Sequence, residues 1–134
     1  MIYHTIRVGF LKEVTEEQKQ EVALKFHQMG NEIKSVNFYG VGKDIGGEFE
    51  MGAIFALNNI EDYKDYMHNP IHRQMDSLGL PLVKNMISQD LTDDPDPQIK
   101  NKIEEIHAKR FENDKELSLL VKGLSSYKGS GIPK

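Results

Sequence analysis

The hydrophobic spacing of this chain switches from every second residue to every third or fourth and back, and then does so again. That alternation of period constrains the fold more than any other feature. Period two belongs to a strand with one buried face, and period 3.6 to an amphipathic helix. In IYHTIRVGF, Ile2, His4, Ile6, Val8 and Phe10 share one side and Tyr3, Thr5 and Arg7 the other, which predicts a first strand. VTEEQKQEVALKFHQM follows, with Thr15 and Gln18 at capping-box spacing and Val22, Phe26 and Met29 on one helical face. Gly30-Asn31 is expected to stop that helix. KSVNFYGVG and FEMGAIFAL predict two strands joined as a hairpin through the turn-rich KDIGGE.

The second helix is NNIEDYKDYM, capped by Asn58 or Asn59, with Ile60, Tyr63 and Met67 on one face. Pro70 cannot extend it, so Asn69 becomes an N-cap and Pro70 the first residue of a fresh segment striped by Ile71, Met75 and Leu78. LVKNMI predicts a fourth strand. The order strand, helix, strand, strand, helix, strand is that of an α+β, ferredoxin-like βαββαβ sandwich. Two helices cover one sheet face, and the other is expected to carry Ile6, Phe49, Met51 and Phe55 without cover. An apolar face of that size implies a partner, most simply a second copy in a two-fold homodimer.

The composition shifts after LTDDPDP. Asp96 and Pro97 predict the cap and start of a further helix striped by Ile99, Ile103 and Ile106, followed by a short helix in KELSLLVKGL. The expected organisation is a domain over 1–93, a helical extension over 94–126 and a disordered tail over 127–134.

Composition excludes several functions. The chain has 134 residues, no cysteine and a net charge of −4. Thiol catalysis, disulfides and thiolate metal sites are therefore absent, and a cytoplasmic location is expected. No basic patch suggests nucleic acid, and no apolar run suggests a membrane. GVGKDIGGE joins two strands and opens no helix, so it lacks the context of a phosphate loop. No cofactor or metal is expected.

The window YMHNPIHRQM, Tyr66–Met75, concentrates the chemistry. His72 is the third residue of the segment begun by Pro70, where the positive end of a helix disfavours an imidazolium. A neutral imidazole is a competent general base, and Tyr66 across the proline break is a hydrogen-bond donor for an oxyanion. His4 lies on the apolar side of the first strand. The plain alternatives are that His72 only ties its segment down, that His4 is a core histidine, that Tyr66 is packing, and that His27, His68 and His107 are exposed helix residues.

Several of these pieces occur in the order seen in a known family. They are the histidine in YHTIRVGFL, the GVGKD turn, the second-helix window IEDYKDYMHNPIHRQM and the strand after PLV. Residues 2 to 91 resemble the stress-responsive dimeric α/β-barrel domain. That resemblance implies two ferredoxin-like sheets pairing into a barrel, with an apolar cavity between sheet and helices in each subunit. It implies a ligand pocket including Ile6, Met51 and Phe55. It also implies that Tyr66, His72 and His4 match the acid/base residues of the family's polyketide cyclases. Asn69 and Met51 depart from the cyclase pattern. The expectation is a protein binding a small apolar ligand, with a cyclase- or lyase-type enzyme using Tyr66 and His72 as the alternative. A dimeric-barrel monooxygenase is a further alternative.

Overall fold

A computed structural model describes all residues, 1–134. The elements are β1 (Ile2–Phe10), α1 (Glu16–Glu32), β2 (Val36–Lys43), β3 (Met51–Leu57), α2 (Ile60–His68), α3 (Pro70–Gly79), β4 (Val83–Thr92), α4 (Ile99–Asn113), α5 (Lys115–Lys122) and β5 (Ser126–Gly129). They build a ferredoxin-like α+β fold on one five-stranded sheet of order β2-β3-β1-β4-β5. β1, first in sequence, is central and antiparallel to both β3 and β4. No helix is long and apolar enough to cross a membrane.

Local chemistry sets the helix starts. The Thr15 hydroxyl accepts from Gln18 N–H and the Gln18 side chain accepts from Thr15 N–H, completing the capping box. Asn59 caps α2, and Asn69 caps α3 by accepting from Ile71 N–H, with Pro70 supplying the first helical dihedral. Gly30-Asn31 does not end α1, which continues to Glu32. The glycine serves a close approach instead. A Cβ on Gly30 would stand 2.1 Å from the ring of Tyr39 on β2, so only glycine lets helix and strand meet there.

Register corrects the expected faces of the sheet. His4 pairs with Phe55 and Asp90, and Ile6 with Ala53 and Ser88; laterally paired residues point to the same side. That side is the helix-covered one, where Ile6 and Phe55 are buried in the main core and Met51, opposite Val8, packs partly buried. The uncovered face carries Tyr3, Thr5 and Arg7 of β1 with their partners, among them Ile54, Ile87, Gln89 and Leu91. Phe49 lies just before β3, buried beneath the Arg7 guanidinium. β3 is apolar on both faces, so its alternation could not say which side met the helices.

The part after residue 93 is integral. α4 begins at Ile99, two residues later than expected, with Gln98 at the N-cap. Its Ile103 and Ile106 join the main core, while Phe111, Leu117 and Val121 form a second cluster with Leu80. Arg73 on α3 binds Asp114 at 2.7 Å, and Arg110 on α4 binds Asp76 on α3. The tail expected to be disordered contains β5, which runs parallel to β4 from Asn85 to Ser88. Its backbone is tied down at both ends, by Ser125 N–H to Lys84 O and Ser130 N–H to Ser88 O, each 3.0 Å.

Candidate functional site

The helix-facing side of the sheet is polar where β1 and β4 cross beneath α2. His4 is almost fully buried, and its Nδ1 lies 2.8 Å from Asp90 Oδ1. Asp90 Oδ2 accepts from Tyr63 Oη of α2 at 2.9 Å and from Ser130 Oγ of the tail at 2.6 Å. Tyr63 Oη is also 2.7 Å from His107 Nε2 on α4. A phenol has one proton, and here it goes to Asp90, so His107 Nε2–H donates to the phenol oxygen. The chain of contacts runs His107, Tyr63, Asp90, His4. At its far end His4 Nε2 is 3.5 Å from Ser88 Oγ.

Burial and these contacts act on the charges together. Burial alone pushes Asp90 up, but His4 and the donors Ser130 and Tyr63 outweigh it, leaving the carboxylate below its ordinary value. Burial, reinforced by Asp90, raises the Tyr63 phenol well above its usual value, so it stays a donor. His107 is lowered to about 4, chiefly by burial and then by His4, and is neutral at pH 7.

The window Tyr66–Met75 forms a second wall. His72 is buried, and its Nδ1 lies 3.3 Å from Met67 O. Nδ1–H therefore donates to the backbone and leaves Nε2 as the acceptor nitrogen of the neutral ring. Burial first, then Arg110 and His4, lowers His72 well below its ordinary value. Neutral His72 was expected from the helix terminus, but burial is the larger cause. Tyr66 stacks on His72 with centroids 4.8 Å apart and meets His4 edge-on at 5.5 Å. Its hydroxyl is buried and has no hydrogen-bond partner.

Between the two walls lies a mainly apolar cavity of about 50 Å³. His4, Ser88, His72, Asp76, His107, Arg110 and Tyr127 are its polar border. Of the residues anticipated for the site, His4, His72 and Ile6 line this space. Tyr66 stands behind His72 and does not line it. Met51 and Phe55 do not line it either. Phe55 is packed among Phe26, Tyr39 and Tyr66, and Met51 lies toward the other end of its strand. No three histidine, aspartate or glutamate side chains converge closely enough to hold a metal ion.

Sequence reasoning missed five participants, among them Tyr63, which it read only as part of the apolar face of α2. His107, expected to be exposed, is buried. It lies four residues after Ile103 and four before Phe111, so the helical stripe itself carried the signal. Asp90 and Ser88 belong to a β4 that runs five residues past the end of LVKNMI. Their period-two pattern Met86, Ser88, Asp90, Thr92 was present, but its polarity reads as a loop. Ser130 lay in the tail expected to be disordered.

Known structures share this architecture. A dimeric ferredoxin-like protein of unknown function from Thermobifida fusca is 19% identical, with a TM-score of 0.62 over 68% of this chain and 89% of its own. A Dabb family protein with a ferredoxin-like fold from Mesorhizobium loti is 15% identical, with a TM-score of 0.61 over 68% of this chain and 94% of its own. The hydroxynitrile lyase of Passiflora edulis is 10% identical, with a TM-score of 0.63 over 70% of this chain and 94% of its own. None of the curated proteins matches the chain. At these identities the structures establish the fold alone. The sequence goes further, because residues 2–93 match the model of the stress responsive A/B barrel domain, and the chain belongs to that family.

Proposed function

We propose that the protein holds a small, mainly apolar compound bearing one carbonyl or hydroxyl group in the cavity between sheet and helices. The carrying observation is the cavity's composition. Apolar side chains dominate its lining, and His4, Ser88 and His72 converge on it, the arrangement that fixes a ligand's orientation in most small-molecule sites. Size limits the class. A cavity of about 150 Å³ accommodates benzene, so about 50 Å³ suits a compound of a few heavy atoms. Titrating the labelled protein with butanone, followed by amide NMR, should perturb residues around His4, Ser88 and His72, and Ser88→Ala should weaken the effect. Shifts confined to the surface would overturn the reading.

A catalytic reading is the alternative, favoured by the His4–Asp90 contact. A ring held at Nδ1 by a carboxylate presents Nε2 to the cavity as a proton acceptor, with His72 as a second neutral imidazole. The lyase among the structural relatives fits proton-transfer chemistry of this kind. Butanone in D2O should then exchange its α-protons in the presence of the protein and not of His4→Ala. Equal exchange with both proteins would end this reading.

We also propose a two-fold homodimer through the uncovered sheet face. Tyr3, Ile54, Ile87 and Leu91 lie on that face, Leu91 being 70% exposed, and relatives are described as dimeric. A stable interface of about 1,600 Å² is expected. A monomer mass by light scattering at micromolar concentration would refute it.

A further inference from the structure

We infer that His107 and Ser130, both beyond the segment that matches the family, are positioning residues of the site. They clamp the Asp90 carboxylate and through it hold the His4 ring in one orientation toward the cavity. The inference deepens the ligand-binding reading and takes its purpose from it, but its geometry stands alone.

A lone carboxylate can turn about its side-chain bonds and offer either oxygen to a neighbour. Asp90 cannot, because both oxygens are engaged. Oδ1 meets His4 Nδ1 at 2.8 Å, while Oδ2 accepts from Tyr63 at 2.9 Å and Ser130 at 2.6 Å. Tyr63 can aim its single proton at Asp90 because His107, 2.7 Å away, supplies a proton to the phenol oxygen. Take away His107 and the phenol is free to rotate. Take away Ser130 and Oδ2 loses its shortest contact. Either loss leaves His4 held by a carboxylate that can swing.

The fold places both groups with care. Ser130 is set by its own N–H on Ser88 O, two residues along β4 from the Asp90 it serves. Gly131 then passes so close to α4 that a Cβ would fall 2.1 Å from His107 Cβ. Tyr127 Oη donates to Gly131 O at 3.0 Å and closes the turn. The tail, α4 and the carboxylate thus lock one another, and no part of the lock belongs to the Tyr66–Met75 window.

The test reads the His4 Nδ1 proton by ring-labelled 1H–15N NMR on the full chain, without ligand. In the parent protein this proton should be visible, downfield and protected from exchange. In Ser130→Ala and in His107→Leu it should exchange about tenfold faster, the change in opening that accompanies the loss of about 1.4 kcal/mol of hydrogen bonding. Ser130→Thr and His107→Gln keep a donor and should restore protection. A merely structural role would lower the melting temperature without moving this proton. If His107→Leu fails to fold, Ser130→Ala decides. The inference is overturned if the parent shows no protected Nδ1 proton, or if folded Ser130→Ala exchanges it at the parent rate. Since no ligand enters the measurement, failure of butanone to bind would count against the ligand-binding reading and leave the clamp untouched.

Discussion

Tyr63 and Tyr66 stand one turn apart on α2, both without solvent exposure, yet they live in opposite circumstances. Tyr63 joins a closed circuit with Asp90, His107 and, through the carboxylate, His4 and Ser130. Tyr66 stacks on His72 and its hydroxyl bonds to nothing. One wall of the cavity is saturated with hydrogen bonds and the other is not. Saturated buried networks rigidify and specify a core, whereas an unsatisfied group costs stability and points to function. The rigid wall presents His4, and the other wall keeps one buried polar group that no neighbour satisfies.

The largest way to break this contrast is Asp90→Ala. It strands three donors, and removing one partner of a buried pair costs about 3–5 kcal/mol, measurable by urea unfolding. A loss below about 1 kcal/mol would mean that the circuit does not hold the wall. Next comes the paired comparison of the two tyrosines. Tyr63→Phe strands His107 Nε2 and should cost about 1–3 kcal/mol. Tyr66→Phe removes an orphan and should lie within about 0.5 kcal/mol of the parent or exceed it. Equal losses would erase the distinction between the walls.

Acid should then weaken both walls at once. His107, lowered to about 4 from 6.5, and His72, also lowered, are neutral when folded but take up protons below pH 6.5 when unfolded. Their contribution is complete above about pH 6.5 and is lost as pH falls toward the folded values, with a slope of up to roughly 1.4 kcal/mol per pH unit per histidine. Asp90, held below its ordinary value, adds its own loss only at more acidic pH. Unfolding followed from pH 7 to pH 4 should show this decline, and His107→Gln should flatten it. Flat stability over that range would contradict the buried neutral histidines. Gly131→Ala, which drives a methyl against His107 Cβ, should cost about 1–3 kcal/mol in a thermal melt.

The sequence disclosed one wall better than the other. Asn69 capping, Pro70 and the placement of His72 are consequences of neighbouring residues, and period and capping rules read neighbours. The His4–Asp90 contact spans 86 positions, and no local rule pairs a histidine in the first strand with an aspartate that looked like loop. The strand order was equally legible up to Ile87. Beyond it, the face of β4 turned polar because it lines a buried circuit, and the alternation lost its hydrophobic marker. The uncovered face was misassigned for a related reason: β3 is apolar on both sides, and the choice was made by register with β1.

The burial of those two tyrosines gives the molecule an optical handle. The chain has no tryptophan and five tyrosines, of which Tyr63 and Tyr66 are the fully buried pair. Near-ultraviolet circular dichroism depends on aromatic rings held in fixed, asymmetric packing and vanishes when that packing loosens. With no indole to mask them, these two buried phenols should dominate this band. Loosening of the site would therefore be visible in the unlabelled protein, even while the far-ultraviolet signal of its helices remains intact.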